Sequence, residues 1–135
     1  MNPVFADAVY WIALFSGTDT RHEAATALTQ KLGSRLVITS QMVLTEYLDG
    51  AAERGANYRR EAALNVRLLM TIPNLRIVPQ IPQLFDAALT LYEQRADKKW
   101  SLTDCASLAI CRQENIHDVL THDYHFTQMG LNVLL

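Results

Sequence analysis

Charged residues are scarce in this chain, and positive charge is not in excess. Lys, Arg, Asp and Glu make up 19% of its 135 residues, against about 25% in an average domain. Twelve basic residues and fourteen acidic ones give a net charge of −2. This balance excludes a general binder of polyanions, so any contact with nucleic acid must use a local basic patch or bound metal ions.

Glycine, proline and long apolar runs are also scarce. Five glycines and four prolines leave no linker that would divide the chain, and there is no internal repeat. The first apolar run, residues 8–15, is far shorter than the ~20 residues of a membrane span, and no targeting segment is visible. One domain over residues 1–135 is therefore expected, and this length can bury a core without disulfides.

Cysteine occurs only twice. Cys105 and Cys111 lie six residues apart in a segment with a helical pattern, so at roughly 100° per residue they point to separate sides and cannot pair with each other. Two unpaired thiols are typical of a reducing compartment, and a cytoplasmic protein is therefore expected.

Short apolar segments alternate with helical patterns along the chain. Strands are predicted at residues 4–6, 36–38, 75–78, 118–121 and 131–134. Helices are predicted at residues 8–15, 20–32, 41–54 (capped by Ser40), 58–70, 81–96 and 101–114. The alternation predicts an α/β fold, with a parallel sheet of four to five strands and helices on both faces.

Acidic residues lie where the predicted strands end. Asp7 directly follows the first strand, and Asp123 lies two positions past Thr121 at the end of the fourth. Asp104 lies in the first turn of the helix that follows Trp100. Because ligands of an open parallel sheet bind outside the carboxyl ends of its strands, these three acids are expected at one edge.

Glu46 is a fourth candidate. It lies at the margin of the apolar face of its helix, about 60° from Val43 on a helical wheel, where it can point into a groove. Asp49 and Glu53 lie on the far side of the same helix and are predicted to be solvated.

Carboxylates that meet in one place repel one another. A pair 4 Å apart costs about 4 kcal/mol at an effective dielectric constant of 20, so a fold keeps such a cluster only with protons or a cation. An all-oxygen site suits Mg²⁺ or Mn²⁺. Such an ion can activate water and offset the charge of an attacked phosphoryl group, and the cluster therefore predicts metal-dependent phosphodiester chemistry.

Each acid also has an ordinary structural explanation. Asp7 could cap the helix that follows it, and Ser101 with Asp104 fits a capping box. Asp123 could be a turn residue, and Glu46 could pair with a neighbouring cation. Taken together the acids favour a site, since three of them should not fall at the same sheet edge by accident.

With these acids in view, the sequence resembles the PilT N-terminus (PIN) domain, specifically the VapC-type ribonuclease toxins of bacterial toxin–antitoxin pairs. The matching stretches follow in the right order over nearly the whole chain: residues 4–7 with 11–14, 45–46, 100–107, and 121–126 with Gly130, and more loosely Asp19, His22 and Ala25. Ala8 departs from the pattern, because many relatives carry a small hydroxyl residue there.

The resemblance implies an Mg²⁺- or Mn²⁺-dependent endoribonuclease with a PIN-like fold. The positions that match the family's acidic, metal-binding and catalytic quartet are Asp7, Glu46, Asp104 and Asp123. Thr103 and Thr121 are suggested as hydrogen-bond donors behind these acids. The resemblance also implies a homodimer and inhibition by a small antitoxin protein.

Three other functions stay open. His117, His122 and His125, near Cys111, could suggest zinc, although structural zinc usually takes four close nitrogen or sulfur ligands. A phosphotransfer domain needs a lysine near the end of a late strand, where this chain has His122. A catalytically inert RNA-binding or interaction protein of the same fold would have no reason to keep four mutually repelling acids.

Overall fold

The computed structural model describes residues 2–135, and its elements follow the alternation seen in the sequence. The strands are β1 (Val4–Ala6), β2 (Val37–Ser40), β3 (Leu75–Val78), β4 (Asp118–Leu120) and β5 (Asn132–Val133). The helices are α1 (Ala8–Phe15), α2 (His22–Leu32), α3 (Gln41–Ala52), α4 (Ala56–Leu69), α5 (Pro82–Gln94), α6 (Leu102–Gln113) and α7 (Tyr124–Gln128).

The five strands form one parallel sheet in the order β3-β2-β1-β4-β5. The chain moves outward from β1 to β3 and then crosses back to β4, so the direction of winding reverses between β1 and β4. Right-handed crossovers, the rule for parallel strands, put α1 to α4 on one face and α5 to α7 on the other. The predicted α/β class is confirmed, and the reversal opens a crevice beyond the carboxyl ends of β1 and β4.

The central strand β1 is completely enclosed by the core. Val4, Phe5 and Ala6 are each 0% exposed, as expected for a parallel strand covered on both faces. The hydroxyl of Thr39 donates to the Ala6 carbonyl at 2.8 Å and accepts the indole N–H of Trp11 at 3.2 Å. These contacts hold the end of β1, and with it the residue that follows, in a fixed position.

The structure differs from the sequence prediction at several ends and in one element. The second strand runs on to Ser40, and α2 begins at His22 because the preceding residues form a turn in which Asp19 accepts the Arg21 N–H at 2.8 Å. The sequence pattern predicts no helix at residues 124–128, where the structure has α7. A carboxylate oxygen of Asp123 accepts the His125 N–H at 2.9 Å and starts α7 there, and its five residues are too few to show a helical period.

Both cysteines are buried in α6 and neither forms a disulfide, so the prediction that they do not pair is confirmed. No helix within residues 2–135 combines the length and the apolar character needed to cross a bilayer.

Candidate active site

Four elements bring acidic side chains to the crevice between β1 and β4. Asp7 follows β1, Asp123 lies three residues past the end of β4, Asp104 lies in the first turn of α6, and Glu46 lies in the middle of α3. The Thr121 hydroxyl contacts both Asp7 and Asp123, and Asp123 lies beside Asp104. Burial is the main cause of the raised pKa values of Asp7, Glu46 and Asp104, and the charges of neighbouring acids in the cluster raise them further. The four carboxyl groups therefore lie close enough to repel one another.

Asp7 is the most deeply buried of the four, with 3% of its surface exposed. The buried Thr121 hydroxyl donates to Asp7 Oδ2 at 3.0 Å and accepts the Asp123 N–H at 3.1 Å. Burial raises the pKa of Asp7 from its ordinary value of 3.8 to about 7, although hydrogen bonds from the Ala8 N–H and Thr121 lower it in part. Asp7 occupies the N-cap position of α1, but its side chain makes no capping hydrogen bond there, so capping does not account for the buried carboxyl group.

Asp104 combines a structural role with its place in the cluster. Its N–H donates to Ser101 Oγ at 3.0 Å, and its Oδ2 accepts the Ser101 N–H at 3.1 Å, so the predicted capping box is confirmed. Burial and the neighbouring Asp123 raise the pKa of Asp104, and its bonds to Ser101 and His125 lower it in part. Within residues 2–135 its second oxygen, Oδ1, has no hydrogen-bond donor, which leaves it available to a ligand.

Glu46 lies at the outer side of the cluster. The residue is exposed on α3, but burial of its carboxyl group and the charges of Asp104 and Asp123 raise the pKa of Glu46, while the Thr103 hydroxyl lowers it in part. It belongs to no salt bridge in the described part of the chain, so the explanation by a neighbouring cation is wrong.

Asp123 and His125 complete the inner part of the cluster. His125 Nδ1 lies 3.2 Å from Asp104 Oδ2 and 3.5 Å from Asp123 Oδ1. One ligand atom of each of these three residues lies within 4.8 Å of the others, a spacing that can hold a metal ion. Asp7 and Glu46 lie outside this closest group, and so does His122.

Sequence reasoning considered His125 only as part of a zinc site and missed its contact with the acids. The available signal was its spacing, because a residue two positions past an N-cap aspartate lies in the first helical turn, beside that aspartate. The short helix α7 that creates this geometry has no periodic pattern.

The donor set fits a divalent cation. Its donors are mainly carboxylate oxygens, which Mg²⁺ and Mn²⁺ prefer. Within residues 2–135 no lysine or arginine forms a salt bridge with any of the four acids. A cation at this position would favour the ionised carboxylates that burial and mutual repulsion oppose.

The structure is an α/β fold whose parallel sheet carries a cluster of acidic side chains where the direction of winding reverses. The model of the PIN domain family matches residues 4–131. The chain therefore belongs to the PIN domain family, and the resemblance seen in the sequence is confirmed.

The similar proteins include a ribonuclease toxin. The chain is 26% identical over 127 residues to the 23S rRNA-specific endonuclease VapC20 of Mycobacterium tuberculosis, with 94% of each chain covered. The crystal structure of M. tuberculosis VapC20, a toxin that cleaves the sarcin-ricin loop, matches with a TM-score of 0.83 over 95% of each chain. The VapC-type resemblance is thereby confirmed.

Two further solved structures share the fold at lower identity. FitAcB from Neisseria gonorrhoeae is 19% identical with a TM-score of 0.68, and the match covers 98% of this chain and 96% of that one. VapBC2 from Rickettsia felis, bound to a DNA fragment from its promoter, is 13% identical with a TM-score of 0.68 over 97% and 96% of the two chains.

Proposed function

We propose that this protein is a metal-dependent endoribonuclease and the toxin of a toxin–antitoxin pair, which stops growth by cutting RNA. The observation that carries the proposal is the meeting of four acidic side chains, without lysine or arginine partners, at the reversal point of a PIN fold. The similarity to VapC20 favours RNA as the substrate, with a structured loop of 23S rRNA as the first candidate. Two buried, unpaired cysteines suit a protein that works in the cytoplasm.

The carboxylates are assigned to one cation, Mg²⁺ or Mn²⁺. Its proposed ligands are Asp7, Glu46, Asp104 and Asp123. When bound, the ion supplies an activated water and offsets the negative charge of the attacked phosphoryl group.

Hydrogen bonds from neighbouring residues hold the carboxylates in place. Thr121 fixes one oxygen of Asp7, and the Ser101 N–H fixes one oxygen of Asp104. Glu46, with Thr103 beside it, lies on the open side of the cluster, where it can orient a water molecule for in-line attack on a phosphodiester. Its exposure also leaves room for the RNA strand.

A basic loop beside the site provides the positive charge that the acidic cluster lacks. The loop between α5 and α6 carries Lys98 and Lys99 directly before Trp100. Arg95 in the same loop lies over the Trp100 ring but is already paired with Asp97 at 3.0 Å. Lys98 and Lys99 form no salt bridge within residues 2–135, so we assign to them the contact with RNA phosphates.

A small antitoxin is proposed as the protein partner. A groove between α1, α3 and α4 is lined by Phe15, Tyr47 and Tyr58, with Arg54 and Glu61 beside them. Apolar and aromatic walls with charged residues of both signs suit an amphipathic peptide. Because α3 also carries Glu46, a peptide in this groove would lie next to the acidic cluster.

A homodimer is proposed on the basis of helix α5. Phe85, Leu89 and Tyr92 lie on one stripe of this helix and are 40%, 44% and 53% exposed. Such a stripe indicates a contact with another protein surface. Light scattering is expected to give twice the mass of one chain, and Leu89→Glu is expected to give the mass of a single chain.

Induced expression followed by sequencing of new RNA 5′ ends tests the function. We expect new ends with the natural protein and none with Asp7→Asn. Asp118→Asn is a matched control, because it makes the same chemical change at the other end of the sheet, and it should give the natural pattern. Unchanged cleavage by Asp7→Asn, or no cleavage of any RNA by the natural protein, would favour the inert binding protein instead.

A further inference from the structure

His125 brings a nitrogen atom to a site that is otherwise made of carboxylates. Its Nδ1 lies 3.2 Å from Asp104 Oδ2 and 3.5 Å from Asp123 Oδ1. The side chain is 20% exposed, and its backbone is fixed by the N–H bond to Asp123 Oδ1 at 2.9 Å. The ring also packs against Tyr124, with 4.9 Å between the ring centroids. The imidazole is therefore held in the cluster from several sides.

We propose that His125 Nδ1 is a ligand of the cation held by Asp104 and Asp123, and that the site consequently prefers Mn²⁺ to Mg²⁺. The inference rests on the proposed function only in requiring a cation at this site. It adds a ligand that the acidic quartet does not contain.

The spacing of the three donor atoms supports coordination. Two ligands at right angles, each about 2.1 Å from an octahedral ion, lie about 3.0 Å apart. The two Nδ1 to oxygen separations, 3.2 and 3.5 Å, exceed this value by only a few tenths of an ångström. One ligand atom of each of the three residues lies within 4.8 Å of the others, so side-chain rotations can bring three donor atoms onto one ion.

The chemistry of imidazole gives the preference between ions. Mg²⁺ favours oxygen ligands and keeps several waters, whereas first-row transition metals accept imidazole nitrogen. An all-carboxylate site would accept either ion, and one nitrogen ligand shifts the balance toward Mn²⁺. Coordination through Nδ1 uses the neutral ring with its proton on Nε2.

A simpler role for His125 is to donate a hydrogen bond from Nδ1 to Asp104 and so to orient it. His125→Asn separates the two roles, because the asparagine amide can place a hydrogen-bond donor near the position of Nδ1 but offers no ring nitrogen as a ligand. If orientation is the whole role, the variant keeps the natural affinity for both ions. Coordination instead predicts a selective loss for Mn²⁺.

Pulsed electron paramagnetic resonance of the Mn²⁺-loaded protein gives a direct test. We expect ¹⁴N modulation from a bound imidazole, replaced by the ¹⁵N pattern after labelling of histidine. His125→Asn should lose this signal, and His122→Asn, a change at an exposed histidine outside the cluster, should retain it. Bound Mn²⁺ without nitrogen modulation would overturn the inference and leave the proposed ribonuclease intact.

Metal titration provides the second measurement. We expect the natural protein to bind Mn²⁺ more tightly than Mg²⁺, and His125→Asn to lose at least about 10-fold in Mn²⁺ affinity, because loss of an outer-shell partner alone typically costs about 10- to 100-fold and loss of a direct ligand should cost no less. Its Mg²⁺ affinity should change by less than about twofold. Equal losses for both ions would overturn the inference, and failure of the natural protein to bind either ion would overturn the proposed metal site as well.

Discussion

Asp118 and Asp7 lie at opposite ends of the same sheet, and they differ in how the fold compensates their charge. Asp118, at the start of β4, accepts bonds from Asn132 and Arg35, each at 2.9 Å, and these bonds lower its pKa. Asp7, just past the end of β1, has no salt bridge in the described part of the chain, and burial raises its pKa to about 7. Asp118, whose charge is paired by Arg35, has a structural role between neighbouring strands. Asp7, which has no basic partner in the described part of the chain, is available to bind a cation.

Asp104 and Asp123 combine both kinds of role. Each caps a helix with one carboxylate oxygen, so the capping explanation of Asp104 is confirmed, whereas Asp123 is the N-cap of α7 and not the turn residue that its sequence position suggests. A carboxylate has two oxygens, and the cap uses only one of them. Capping therefore fixes each carboxylate in place without competing with metal binding, because the second oxygen and the unused lone pair of the capping oxygen remain available to a cation.

The strongest way to test this comparison is to neutralise one acid at each end. We expect Asp7→Asn to lower RNA cleavage by about 1,000-fold, the upper range for removal of one electrostatic interaction in an active site. Its metal-free thermal stability should not fall, because the change removes a buried, repelled carboxyl group. Asp118→Asn should show the reverse, with cleavage within about twofold of the natural rate and a lower melting temperature. Cleavage assays and calorimetry on both variants distinguish these outcomes.

Asp7 and Asp118, at the two ends of the sheet, should also affect the pH dependence of stability in opposite ways. Between pH 4 and 7 the folded protein holds a proton on Asp7 that the unfolded chain has released, so the free energy of unfolding of the metal-free protein falls as pH rises. One pKa unit corresponds to about 1.4 kcal/mol, and the rise from 3.8 to about 7 gives about 4 kcal/mol over this range. Asp118, whose pKa is lowered, contributes stability that is present above pH 4 and is lost at lower pH.

Urea denaturation in the presence of a chelator, repeated from pH 4 to 8, measures this slope. Asp7→Asn should make the slope between pH 4 and 7 much shallower, leaving the contribution of Glu46 and Asp104, whose pKa values are also raised. Asp118→Asn should leave the slope unchanged. If the stability of the natural protein is constant over this range, burial does not raise the pKa of Asp7.

A divalent cation should raise the free energy of unfolding through the acids at the carboxyl edge of the sheet, and Asp118 at the opposite end should not affect this gain. At an ion concentration 100 times its dissociation constant, binding adds about 2.7 kcal/mol to the free energy of unfolding. We expect this gain in the natural protein and in Asp118→Asn, and a much smaller one in Asp7→Asn and Asp104→Asn. Thermal melts with and without chelator test it, and an equal gain in all four proteins would place the ion elsewhere.

The sequence predicts the position of the acids better than it predicts their contacts. The sequence predicts both ends of α1 correctly and so places Asp7 between β1 and α1. Because parallel strands end at the same edge of a sheet, the order of the elements along the chain is enough to assign Asp7 and Asp123 to that edge. Which oxygen of Asp104 stays free depends on a capping box and on a histidine brought in by α7. Such contacts depend on side-chain geometry over a few residues, where periodicity carries no information.

The smallest effect is expected from the basic loop, where charge is carried by exposed side chains. We expect replacement of Lys98 and Lys99 by alanine to raise KM for RNA several-fold with kcat within about twofold, because phosphate contacts position the substrate without taking part in the reaction. The slope of log affinity against log salt should fall by about one for each lysine that no longer binds a phosphate. Lys31→Ala, an exposed lysine in the last turn of α2, is the matched control and should change neither quantity. If Lys31→Ala has the same effect as the loop variants, the RNA responds to overall charge, and the basic loop has no special role beside the acidic cluster.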